Sequence, residues 1–281
     1  GATAFAGQTG VIACCLSALL TGCLGTGTKV ATEPPIAELP PRQSDAITGS
    51  EFLLLTWELP VEQREQAILA QIRLGNVPEH VREMVPLTVA AAPHQATLRV
   101  SADYLAIGSA TDYVSIPMMP DTARQIAREF GFLLPTRKLV DDIYQQATVR
   151  LHPQPMPPGP HMATNAYYRR HNRLILKQLH DHAPAYRLLA GHKKDVVLTP
   201  LLLERPGRVA IYGWHRQDGN PIQPLSLFHP ARYVDYSHGV RLISRQARVD
   251  GKPVDLAEIF TDPELNILVS DEGGFAVDSY L

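Results

Sequence analysis

A chain of 281 residues with 45% hydrophobic and 19% charged side chains has material for one large core or two smaller ones, which excludes wholesale disorder. With 26 basic against 28 acidic side chains the formal charge is -2, so the field of a nucleic-acid binder is excluded and no basic stripe for anionic lipid stands out. The three cysteines, Cys14, Cys15 and Cys23, all fall near the start, leaving none downstream for a disulfide, a thiolate metal site or a papain-like or NlpC-like nucleophile.

Residues 11–19 are an apolar run, shorter than the roughly 20 residues a membrane-spanning helix needs. Leu20, Thr21, Gly22 and Cys23 close it. This order resembles a bacterial lipoprotein signal, and the resemblance implies cleavage before Cys23, lipid on its thiol, and export to the cell envelope with anchorage to a membrane. No Lys or Arg precedes the run within residues 1–10, and a buried helix of small residues is the alternative for this segment. Residues 24–50, with Pro34-Pro35 and Pro40-Pro41, read as an extended tether because paired prolines cannot hold helical or ladder hydrogen bonds.

Beyond the tether the spacing predicts an α+β unit over 51–151. Ile68, Leu69 and Ile72 share one side of an amphipathic helix over 61–74, and Gly75 stops it. Segments 96–100, 104–107 and 113–116 are rich in strand formers and read as a small antiparallel meander. Pro120 opens a helix that ends at Gly131, and Thr136 caps another whose Leu139, Val140, Ile143 and Tyr144 form a buried stripe. Residues 152–162 hold a proline-rich strap. From 163 to 281 a helix over 165–182 leads into β-rich sequence, with a hairpin turn at Gln217-Asp218-Gly219-Asn220 and a short helix over 254–260. The expected architecture is therefore an N-terminal helix-and-meander unit packed with a C-terminal β-rich unit, or one integrated domain of both.

Chemistry-bearing residues gather in the last hundred positions. His192, Asp195, His215, His229 and His238 are of the types that bind zinc through nitrogen and oxygen or move protons near neutral pH. Two imidazoles and a carboxylate with an open position would hold a catalytic zinc. Gly191-His192-Lys193-Lys194-Asp195 and Tyr236-Ser237-His238 are faintly similar to the ligand elements of exported zinc peptidases that cut cell walls. The spacing is tighter at the first element, and the second lacks His-x-His. A metal-free alternative uses Tyr236 and His238 as an acid–base pair, with Lys193 or Arg241 neutralising a substrate carboxylate. No Gly-x-Ser-x-Gly elbow is present. Against these stand plainer roles: His180 and His182 as helix-end cations, His215 at a strand end, Asp235 capping a turn, and Tyr167 to Arg170 as the mixed surface of a helix.

The functional expectation is a lipid-anchored envelope hydrolase acting on a cell-wall or extracellular polymer. The alternative is a non-catalytic envelope lipoprotein that binds, scaffolds or self-assembles.

Overall fold

The computed structural model describes residues 37–180 and 188–280, and the fold is α+β. The signal-like segment, most of the tether and His182 lie outside the described residues. Among those residues no helix is long and apolar enough to cross a membrane.

Local chemistry fixes the helices of the first half. Thr48 accepts from the Glu51 N–H while the Glu51 carboxylate takes the Thr48 N–H, a reciprocal cap that starts α1 (Gly49–Leu55). Helix α2 (Val61–Arg73) buries Ile68 and Ile72 as its spacing predicts, and the short α3 (Glu79–Arg82) follows. A long hairpin comes next, β1 (Met84–Ala91) with β2 (His94–Ser101), then the small antiparallel pair β3 (Ala106–Gly108) and β4 (Tyr113–Ser115). Pro120 occupies the first turn of α4 (Pro120–Phe130), which ends in left-handed Gly131 before β5 (Phe132–Leu133). Thr136 caps α5 (Arg137–Gln146) through the Leu139 N–H, and β6 (Val149–Arg150) leads to the proline strap.

Past the strap come α6 (Asn165–His180), β7 (Leu189–Ala190), β8 (Lys194–Val196), α7 (Leu201–Glu204), β9 (Ile211–His215) and β10 (Pro221–Ser226). The chain ends in β11 (His238–Gly239), β12 (Ile243–Ser244), β13 (Gln246–Val249), β14 (Lys252–Asp255) and α8 (Leu256–Thr261), the last capped by Asp255.

The expected meander does not form as one sheet. Strand β2 pairs with β1, β12 and β13, whereas β3 and β4 pair only with each other. The physical reason lies in the burial of β2: its alternating Ala96, Leu98 and Val100 need a sheet wide enough to cover one face, and strands from the far end of the chain supply it. Six strands from both sides of the strap thus share a sheet, β14-β13-β2-β12-β5 with β1 on the other edge of β2, so the two expected units interlock. A second sheet, β10-β9-β8-β11, carries most of the chemistry-bearing residues. The strap is fastened on this side by Met156, whose backbone N–H donates to the Tyr236 hydroxyl at 2.7 Å.

Candidate active site

Strand β8 is the middle of the site. It runs antiparallel to β9, with Asp195 opposite Tyr212, and parallel to β11, with Gly239 opposite Asp195. These pairings bring together residues from α5, β8, β9 and the loop before β3.

The Asp195 side chain is enclosed, and its Oδ2 accepts the Tyr104 hydroxyl at 2.7 Å while its Oδ1 has no hydrogen-bond partner. Burial pushes this carboxyl up to about 6; the Arg241 charge and the Tyr104 hydrogen bond offset only part of the effect. Next to it stands His215, whose Nε2 faces Asp141 Oδ1 at 2.8 Å and whose ring stacks on Tyr144 at 4.5 Å between centroids. Asp141 also accepts the Tyr212 hydroxyl, at 2.9 and 3.0 Å to its two oxygens. The Asp141 side chain is 39% exposed against 3% for His215, so the carboxylate is the solvent-facing member of the pair. Both line an open cavity of about 430 Å³, together with Tyr144, Arg150 and Tyr212.

Gly213 lies between the Asp195 carboxyl and the His215 imidazole. Its φ is +107°, and a Cβ there would stand 3.5 Å from both Asp195 Oδ2 and His215 Cε1. Those two distances are ordinary contacts and the tightest neighbour is Val140 Cγ1 at 3.2 Å, so the positive φ is what calls for glycine here. Trp214, beside it, holds φ +58°, an uncommon left-handed geometry for an aromatic residue, with its indole N–H buried and without a partner.

On the other side of β8 the polar groups are closed in. His238 is fully buried, 3.9 Å from Asp235, and neither ring nitrogen makes a hydrogen bond. Burial lowers His238 to about 4. Asp235 is engaged by its own loop, accepting the Ser237 N–H at 2.8 Å, the Ser237 hydroxyl at 2.5 Å and the Tyr233 hydroxyl at 2.8 Å. Turn capping is what it does. Lys193 donates from Nζ to the Tyr236 carbonyl at 2.7 Å, and burial drags the ammonium down to about 7. His192 Nε2 lies 3.2 Å from Asp103 Oδ1 without the angle of a hydrogen bond, and burial keeps it low as well. His171 on α6 is completely enclosed, with both ring nitrogens unpartnered and its affinity for a proton strongly suppressed by burial.

The candidates named from sequence therefore occupy one region but do not converge on one point. His192, His215 and His238 each face a carboxylate of their own, Asp103, Asp141 and Asp235. Among the described residues no group of three or more His, Cys, Asp or Glu is placed to hold a metal ion. His229 stacks on Tyr233 at 3.9 Å, next to the exposed Phe228. Arg241, read as a possible contact for substrate carboxylate, is 0% exposed and binds the carbonyls of Ser101 and Leu189 at 2.6 Å each, which makes it a clamp between chain segments. Tyr236 spends its hydroxyl on the Met156 backbone. Asp141, Tyr104, Asp103 and His171 escaped the sequence reading: the first three sit far along the chain from the groups they face, His171 is a polar position inside an amphipathic helix, and none belongs to a local motif.

Comparison with protein-family models, with curated proteins and with solved structures gave no match, so the chemistry of the residues alone carries the functional reading.

Proposed function

We propose that the chain is an exported, lipid-anchored hydrolase of a cell-wall or extracellular polymer, working by acid–base chemistry at Asp195, His215 and Asp141. Cys23 is the lipid attachment point in this reading. Its support is the order of residues 11–23, and the support for hydrolysis is one observation: a carboxyl raised to about 6, with one oxygen unpartnered, stands beside an imidazole–carboxylate pair that opens on a cavity.

The roles follow from the proton inventory. Asp141 orients His215, which takes a proton from an attacking water. Asp195 is enclosed and does not line the cavity, so its proton reaches the departing oxygen or nitrogen through one intervening water as the scissile bond to carbon breaks. Water thus ends split between the two products, and the proton on His215 returns to solvent or to Asp195. Arg150, held by the Tyr144 and Gln145 carbonyls, faces the carboxylates of Asp141 and Asp218 in the same lining, so the cavity carries both signs of charge. Zinc remains the second reading for the histidines, and a chelation arm separates it from the metal-free one.

The test uses the purified full chain on dye-labelled cell-wall sacculi and on acidic extracellular polysaccharide, following release of soluble dye. Asp195→Asn and His215→Gln are each expected to lower the rate by about 100-fold or more, with circular dichroism unchanged. Chelator is expected to leave it alone. Rate should fall as pH rises through about 6, where Asp195 gives up its proton. No release from either polymer, or a fully active Asp195→Asn, overturns the proposal and favours the non-catalytic lipoprotein.

A further inference from the structure

Helix α6 presents a face that the fold leaves uncovered. Tyr168, His171, Asn172, Ile175 and Leu179 turn inward, while Arg169, Arg170, Arg173 and Lys177 lie on the exposed side. The helix contains no Asp or Glu at all. None of these four cations pairs with an acid among the described residues. Arg169, Arg173 and Lys177 are spaced four apart, so each neighbouring pair repels by a few tenths of a kcal/mol. An anionic surface laid over the row would convert that repulsion into binding.

A second observation says what kind of surface. The end of α1 abuts the start of α6, where the Asn165 amide donates to the Leu53 carbonyl at 2.9 Å and to the Thr56 hydroxyl at 2.8 Å. Arg169 lies 5.2 Å over the ring of the half-buried Trp57. In the same stretch Leu54 and Leu55 project into solvent, 64% and 69% exposed, with two exposed acids nearby, Glu58 and, one turn earlier, Glu51, whose carboxylate takes the Thr48 N–H. Adjacent bare leucines, an indole and a row of guanidinium groups are what a bilayer interface selects: apolar tips for the headgroup boundary, cations for lipid phosphate. An acidic polysaccharide would use the cations and gain nothing from the leucines.

We infer that this face docks on an anionic lipid bilayer, with Leu54, Leu55 and Trp57 entering the headgroup boundary and Arg169, Arg170, Arg173 and Lys177 pairing with phosphates. A lipid at Cys23 would keep the face close to its target. That last point alone rests on the proposed anchor, and the docking is independent of any hydrolytic activity. The net charge of the chain conceals the feature, because acids elsewhere balance the row on α6.

The test is sedimentation of the full chain carrying Cys23→Ser, which cannot be lipidated, with vesicles of phosphatidylglycerol and phosphatidylcholine in equal parts or of phosphatidylcholine alone. Partitioning is expected to favour the anionic vesicles by at least about tenfold and to collapse at high salt. Arg169→Glu with Arg173→Glu should reduce it by about tenfold or more. Leu54→Ser with Leu55→Ser should weaken vesicle binding several-fold while leaving retention on immobilised heparin unchanged. Equal partitioning to both vesicle types overturns the inference. So does a leucine variant that binds vesicles like the parent while soluble heparin strips both, since that pattern belongs to an acidic polymer. All these side chains are on the surface, and circular dichroism verifies folding.

Discussion

Two His–Asp pairs flank the same strand and live under opposite conditions. His215 with Asp141 borders an open cavity and has a third hydrogen-bonding group, Tyr212, on the carboxylate. His238 with Asp235 is sealed, too far apart for a hydrogen bond, and its carboxylate is spent on the turn that leads into β11. Residue type is the same in both; access and partner geometry differ. Chemistry on a polymer needs the first arrangement, and a shaped, rigid loop needs only the second.

Substitutions can break this contrast, and the largest effect belongs to the sealed side. Arg241→Ala strips two buried carbonyls of their donor and removes the cation from over Tyr104, 4.4 Å from the ring centroid. A loss of about 3–5 kcal/mol in urea unfolding is expected. Asp141→Asn, on the open side, should cost about 100-fold in polymer cleavage, near 3 kcal/mol of barrier, with the unfolding midpoint almost unmoved because the side chain is partly solvated. If Asp141→Asn unfolds the protein and leaves the rate intact, the two pairs have been assigned the wrong way round.

Lys193 sharpens the sealed side further. Its folded-state pKa of about 7 lies below the ordinary lysine value, so the unfolded chain takes up a proton that the folded chain refuses. Stability therefore falls as pH drops from about 10.5 to about 7 and is flat below that. Lys193→Met should raise stability at pH 7 by about 2 kcal/mol, and the gain should vanish near pH 10.5. Thermal unfolding across that range checks both parts. Gly213→Ala has the smallest expected effect, a loss of about 1–2 kcal/mol from the positive φ, with the methyl pressing on Val140 and standing at ordinary contact distance from Asp195 and His215.

Local features were legible in the sequence, and long-range ones were not. The Thr136 cap, the Pro120 start and Gly131 stop, the hairpin at 217–220 and the buried stripe of α5 all depend on neighbours within a turn or two, and the structure has each of them. The α+β class follows from the same patterns. What periodicity lacks is partner choice: nothing in the alternation of β2 says that β12 and β13 will pair with it. The same gap hid Asp141, since a polar position on an amphipathic helix reads as solvent-facing until a strand 74 residues later brings His215 to it. His192, Asp195 and His238 drew attention as types, and the region was well chosen. The separate carboxylates of His192, His215 and His238 were invisible because two of the three, Asp103 and Asp141, come from before the proline strap.

Acid catalysis at this site requires Asp195 to hold its proton close to neutrality, and carbon-13 NMR titration of aspartate carboxyl groups in the full chain, with Asp195→Asn to identify the resonance, measures this without any substrate. A midpoint near 6 is the predicted result. A midpoint at or below the ordinary aspartate value of about 4 would contradict it, leaving an ionised side chain with no proton to give.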